Sequence, residues 1–455
     1  MTKQSRLALG TIVALALLGM RPRASITVLR NEAVAHYPES IEFFLAVESL
    51  SEIEWVELSF GTDALACGEG TTRAYPEDFE PSSSVETEWT WNLRQAGSLP
   101  PGTTVTWHWT VRDASGAELV TSDRSLVFTN TNIPWREGAS ESMDLYWTEG
   151  DQAFADSLLA AGESALVDLR GMTGVELADR AQVYIFPSSE EMQANTLFAP
   201  DWSGGLAFAN YRTVLLAIEP GSIAWGREVI AHELAHVVIG AYTFSCLDST
   251  PPWLSEGLAM NAEGREEPFA AGVLRQAIED NSLLSVRSLG QMFSADPELA
   301  YLAYAESESL VQHLIDVHGQ ASMLRLLDEF RSGSSEDRAL REVYGFDRDG
   351  LEAAWREWVG APPMEGGGEP GGPPTRTPYP TFAPITGPLS GAAATPSPVP
   401  SPAPDGSGPE TSARTTFLLV AVGLAAGCGL AAGLTVGIVL IARRTASRRA
   451  SGRGG

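Results

Sequence analysis

His232-Glu233-Leu234-Ala235-His236 sets two imidazoles four residues apart, with a carboxylate beside the first, in a chain of 455 residues that holds only six histidines. On a helix, positions i and i+4 share a face, so both rings can reach one Zn²⁺ while Glu233 points at a water the metal polarises. The chemistry of such a set is hydrolysis, with the glutamate taking the proton of the attacking water. The same pentapeptide also occurs as ordinary helix sequence. A third ligand separates the two cases, because catalytic zinc takes three protein ligands.

Residues 251–259, Pro-Pro-Trp-Leu-Ser-Glu-Gly-Leu-Ala, offer one. The proline pair ends the preceding loop and suits the first turn of a new helix, which would carry Glu256 toward the histidines. Nineteen residues separate His236 from Glu256.

These residues resemble the gluzincins, the zinc peptidases that include thermolysin and aminopeptidase N, in which a W-L-x-E-G-x-A helix follows H-E-x-x-H. The gap here is one residue longer than usual, an insertion an interhelical loop tolerates. The resemblance covers residues 140–360 and is nearest to the peptidase MA-like branch. It implies an α+β zinc peptidase domain with His232, His236 and Glu256 as ligands and Glu233 as general base. Glu263 would orient a ligand histidine, although it also begins an acidic run that ends at Glu267 and reads equally as surface. The resemblance further implies an oxyanion donor, Tyr304, with Tyr301 one turn earlier as the competing candidate and a packed core role open to either. No Gly-x-Met-Glu-Asn segment is found. The grip of aminopeptidases on a free amino terminus therefore does not carry over, and endopeptidase activity is expected.

The elements that must position this set can be read from pattern. Residues 204–208 and 213–217 form two strands joined around Asn210-Tyr211. If the first is a sheet edge, Gly204 and Gly205 would let a substrate backbone approach and pair; a plain hairpin is the alternative. A helix near 151–172 and a strand at 182–186 precede them. After Glu256 the periodicity is helical at 269–280, 299–317, 321–330 and 349–359. His313 and His318 fall at the end of one such helix, where a surface position or the helix dipole accounts for them. Before this domain, alternation at 40–47, 54–60 and 103–112 predicts an all-β, Ig-like sandwich over 25–135, with Asp113-Ala114-Ser115-Gly116 as a hairpin turn. Trp107 and Trp109 share one strand face and read as core rather than as a glycan platform, and His108 reads as structural.

A formal net charge of −28 excludes nucleic acid as a partner. Lys3 and Arg6 before the apolar run 7–20 predict a signal peptide over 1–24, or an anchor if it stays uncleaved. Residues 361–413, rich in Pro, Gly, Ser and Thr, read as a disordered stalk. Residues 417–442 are uncharged and apolar, long enough for one C-terminal membrane helix, and Arg443, Arg444, Arg448, Arg449 and Arg453 in the tail 443–455 put that end in the cytoplasm. The expectation is an extracytoplasmic enzyme for peptide or protein substrates, tethered to the cell membrane by a single pass. Its oligomeric state stays open, since G-x-x-x-G spacings in the span permit a helix dimer. Cys67 and Cys246 read as separate buried thiols, with one bridge as the alternative. Two other functions share the pattern: a silent surface adhesion protein that uses the domain as scaffold, and a zinc hydrolase of a non-peptide amide or ester.

Overall fold

The structure is a computed structural model that describes residues 26–68, 71–76, 79–199, 204–247, 250–263, 270–291 and 296–364. The expected signal peptide, the stalk beyond 364, the span 417–442 and the basic tail lie outside the described residues. Among the described residues no helix is long and apolar enough to cross a membrane.

The amino-terminal part comprises β1 (Thr27–His36), β2 (Ser40–Thr62), β3 (Thr72–Ala74), β4 (Ser82–Asn92), the single turn α1 (Leu93–Ala96), β5 (Thr103–Asp113), β6 (Glu118–Val120) and β7 (Arg124–Phe128). The two strands expected at 40–47 and 54–60 are one. Up to Glu48, β2 pairs with β1 and β4; its register then shifts, and from Ile53 to Thr62 it pairs with β5, with β3 alongside. One strand thus serves two layers, and alternation sends Phe43 and Leu45 of its first half and Leu58 and Phe60 of its second into a common core. Phe43 lies 5.6 Å, ring to ring, from both Phe60 and Trp107, so the layers face each other. Trp107 and Trp109 are buried, the first donating its indole N–H to Asn31 Oδ1 at 2.9 Å. His108 turns outward to Asp123. Asp113 accepts the N–H groups of Ser115 and Ala117, which closes the expected turn.

The second part begins with β8 (Arg136–Ala139), β9 (Met143–Trp147), α2 (Gln152–Thr173), β10 (Ala181–Phe186), α3 (Ser189–Ala194), β11 (Gly205–Phe208) and β12 (Thr213–Ala217). Its sheet has the order β11-β12-β10-β9-β8, parallel in the middle and antiparallel at both ends. Then come α4 (Ile223–Tyr242), α5 (Pro252–Ala262), α6 (Ala270–Glu279), α7 (Val286–Leu289), α8 (Pro297–His318), α9 (Gln320–Arg331), α10 (Glu336–Tyr344) and α11 (Arg348–Val359).

Helix α4 is the hinge of this architecture. Val229, Ile230, Leu234 and Val237 pack with α2 onto the sheet, while Ala235, Val238 and Ile239 belong to the helical core with α5, α8 and α9. Each large apolar side chain so buried contributes about 1.5–3 kcal/mol. What remains for the histidines is the strip between the two cores. Gly257 brings α8 close to α5: a Cβ there would lie 2.2 Å from the Ser307 carbonyl oxygen and 2.6 Å from Val311.

Two further expectations are corrected. His313 is not at the surface; Trp358 of α11 covers it, ring centroids 5.3 Å apart, and burial pushes its pKa down. Cys67 and Cys246 are not separate buried thiols. They form a disulfide, because the loop after β2 lies against the α4–α5 connection and brings their Cα atoms to 5.6 Å across a sequence separation of 179.

Candidate metal centre

His232 and His236 stand one turn apart on one face of α4, both buried, and α5 carries Glu256 to meet them. The Nε2 atoms of the two rings are 3.2 Å apart, and Glu256 Oε2 lies 3.6 Å from one and 3.5 Å from the other. The ligand atoms of all three residues fall within 4.8 Å of one another. Four ligands held tetrahedrally at about 2.1 Å would be about 3.4 Å apart, so the residues present match the donor spacing that zinc requires.

The outer ring nitrogens fix which atoms face inward. His232 Nδ1 is 2.9 Å from Glu263 Oε1, and His236 Nδ1 is 2.9 Å from Ser255 Oγ. With each Nδ1–H donating to its oxygen, both Nε2 lone pairs point at one spot, an arrangement that repels itself unless a cation sits between. The charges agree. Burial opposes a charge on His232, yet the carboxylates of Glu256 and Glu263 push its pKa up to about 10. His236 is pushed down, chiefly by burial. Burial works against ionisation of Glu256 too, but the two imidazoles hold it well below the usual carboxylate range. This is a buried pocket of glutamates that seeks positive charge.

Glu233 is fully buried, and neither carboxylate oxygen has a hydrogen-bond partner among the described residues. Burial, with the repulsion of Glu256 and Glu263, pushes it up to about 8. Gly205 is packed against it: a Cβ at that position would lie 2.7 Å from Glu233 Oε1 and 2.9 Å from its Cγ. Strand β11, which begins at Gly205, is the last strand of its sheet. Gly204 extends the ladder inward, its carbonyl accepting the Ala217 N–H at 2.9 Å. By alternation Gly205 and Ala207 turn their backbone groups toward the outer edge.

Tyr304 is buried on α8, one turn before Ser307, on the face that packs against Gly257. Tyr301 lies one turn earlier still, half-buried, with its phenol pushed up by burial. Ser255 is the site residue that sequence reasoning missed. It lies inside the Trp-Leu-Ser-Glu-Gly stretch, and its place beside Glu256 was the available signal.

Residues 161–361 match the family model of the peptidase MA superfamily. No curated protein matches the chain. Among solved structures, an M1 zinc metallopeptidase from Deinococcus radiodurans is 14% identical, with 73% of this chain and 94% of that one covered at a TM-score of 0.33. A bromine derivative of BhCBM56 is 11% identical over 21% of this chain and 88% of its own, TM-score 0.16. The sporulation control protein Spo0M of Bacillus subtilis is 12% identical over 30% and 71%, TM-score 0.18. Scores of this size assign no activity.

Proposed function

The chain carries a peptidase MA superfamily domain over residues 161–361, and on that premise we propose that it is a zinc metallopeptidase, with His232, His236 and Glu256 as ligands and Glu233 as general base. One observation carries the proposal: three donor atoms 3.2 to 3.6 Å apart, with a carboxylate one residue along the same helix that has no hydrogen-bond partner among the described residues.

Zinc, when bound, would lower the pKa of a water toward neutrality and polarise the scissile carbonyl. Glu233 would then take a proton from the attacking water and pass it to the leaving amine. Tyr304 donates a hydrogen bond where negative charge develops on the carbonyl oxygen. Glu263 and Ser255 hold the two rings in the required tautomer. Gly205, having no Cβ, leaves room for the Glu233 carboxylate beside it. We assign the Ig-like sandwich a supporting role.

We further propose that the enzyme works outside the cytoplasm, tethered by the 417–442 span. The Cys67–Cys246 bridge, exposed at both residues, suits an oxidising compartment. Metal analysis of the full-length protein in detergent, combined with cleavage of an unbiased peptide library, tests the enzymatic part. One zinc per chain with zinc-dependent cleavage is expected; bound zinc without cleavage of any peptide would favour the scaffold or the non-peptide hydrolase.

A further inference from the structure

Near its end, helix α8 carries a histidine that the zinc site does not use. His313 is 3% exposed, and neither ring nitrogen has a hydrogen-bond partner among the described residues. A neutral imidazole always keeps one N–H, so this is a buried donor left unpaired, which calls for an explanation. Trp358, in the last turn of α11, lies over the ring with centroids 5.3 Å apart, and is itself 43% exposed. His318 stands edge-on to His313 at 6.3 Å and packs on Tyr344 and Phe346. The charged surroundings favour a proton weakly. On α8, His318 opposes a charge on His313, and Asp316, exposed and bonded to Gln312 Nε2 at 2.7 Å, supports it. Helix α11 presents the uncharged Trp358 ring, while its Glu352 and Arg356 bond to each other at 2.9 Å and to the 283–286 backbone. Helix α10 sets Tyr344 on His318, and Arg325 of α9 acts on that phenol. Burial first, with the repulsion of His318, holds the His313 pKa below its ordinary value.

We propose that His313 and Trp358 form an acid-released latch, in which a proton on the imidazole undocks the last turn of α11 from α8. The neutral ring accepts an aromatic cover, whereas the imidazolium has two donors to satisfy and meets no acceptor under Trp358. Opening stops at Trp355, which is fully buried and donates its indole N–H to Ser309 Oγ at 3.0 Å. The part that moves is therefore the terminus from Arg356 onward, where α11 closes on the Gly360 cap. Releasing it lengthens the link between the domain and the Pro-, Gly-, Ser- and Thr-rich sequence that follows. Linkage sets the direction. Undocked, His313 titrates near the ordinary imidazole value of about 6.5, and docked it titrates lower. The docked form is thus fully favoured above about pH 6.5, and each unit of acidification from there to the docked value raises the open-to-closed ratio by up to about tenfold.

The test is amide hydrogen exchange of the full-length protein in detergent from about pH 7.5 to about pH 5, corrected for the intrinsic pH dependence of exchange. Protection of residues 356–361 should hold to about pH 6.5 and fall by about tenfold at about pH 5, while the amides of β10 keep theirs. In His313→Leu, which fills the space without a titrating group, protection of 356–361 should no longer depend on pH. Trp358→Ala should leave the same residues open throughout the range. A wild-type profile that stays flat below about pH 6.5, or a fall that persists in His313→Leu, overturns the latch. So does a parallel loss of protection in β10, which would mark global unfolding. Exchange of the imidazole C2 proton in the wild type gives a reading that needs no variant to fold: half-titration of His313 below the ordinary value supports the latch, and half-titration at or above it overturns it.

Discussion

The Nδ1 of His232 and the Oε1 of Glu263 face each other at 2.9 Å across 31 residues of sequence, both buried. Glu256 and Glu263 lie two turns apart at the ends of one short stretch of α5 and its cap. A single helix therefore delivers Glu256, one candidate ligand, and the carboxylate that bonds to His232, another, so its docking on α4 fixes both at once.

Replacing Glu263 by Gln should leave the fold intact and weaken zinc binding by about 10- to 100-fold, because the neutral amide no longer raises the basicity of the ring it orients. Ser255→Ala should act on His236 in the same direction with a smaller loss, since a hydroxyl carries no charge. Competition against a chelator of known affinity measures both. Unchanged zinc affinity in Glu263→Gln would leave the carboxylate with a merely structural place.

Glu233→Gln should retain one zinc per chain and lose hydrolysis, as the amide keeps the shape of the base but cannot take a proton. Gly205→Ala probes the same group from outside. Its Cβ would press on Glu233 and on Leu216 Cδ2 at 2.9 Å, so turnover should drop with little change in zinc content. Turnover close to wild type in Gly205→Ala would mean that the carboxylate can retreat without cost.

How far the sequence revealed this site depends on how local each relationship is. The histidine pair and the Trp-Leu-Ser-Glu-Gly helix were legible because helical periodicity turns spacing into geometry, and the hairpin beside them because its turn residues interrupt two apolar runs. Ser255 was not, since a serine in a helix carries no pattern that announces a partner. The disulfide joins residues 179 apart in two different layers of structure, a distance no spacing rule spans. Strand β2 was split in two because alternation falters around Leu50, yet no Pro or Gly stands there to end the strand, and the chain bends through it. His313 looked like a helix-end residue until α11 folded back across it.

The oxyanion donor is decided by a pair of variants. Tyr304→Phe should bind zinc normally and lose turnover by about 10² to 10³, the loss expected when one preorganised donor to the developing charge is removed. Tyr301→Phe should cost far less. The reverse result in steady-state kinetics would move the role one turn toward the start of α8.

Glu306 gives the fold a pH dependence of its own. It is fully buried on α8, with Oε1 accepting the Leu284 N–H at 2.8 Å and Oε2 without a hydrogen-bond partner among the described residues. Burial first, against the partial relief of that N–H and of the Arg356 charge, pushes its pKa from 4.5 up to about 8. Arg356 cannot compensate fully because it is committed to Glu352 at 2.9 Å. A carboxyl whose folded pKa exceeds its unfolded one takes up a proton on folding. Its stabilising contribution is complete below pH 4.5 and is lost as the pH rises to about 8, at up to about 1.4 kcal/mol per pH unit. Glu306→Gln, neutral at every pH and still able to accept the Leu284 N–H, should match the wild type in urea unfolding at pH 4.5 and exceed it increasingly by pH 9. A stability difference that stays constant across that range would show that Glu306 does not change its protonation on folding.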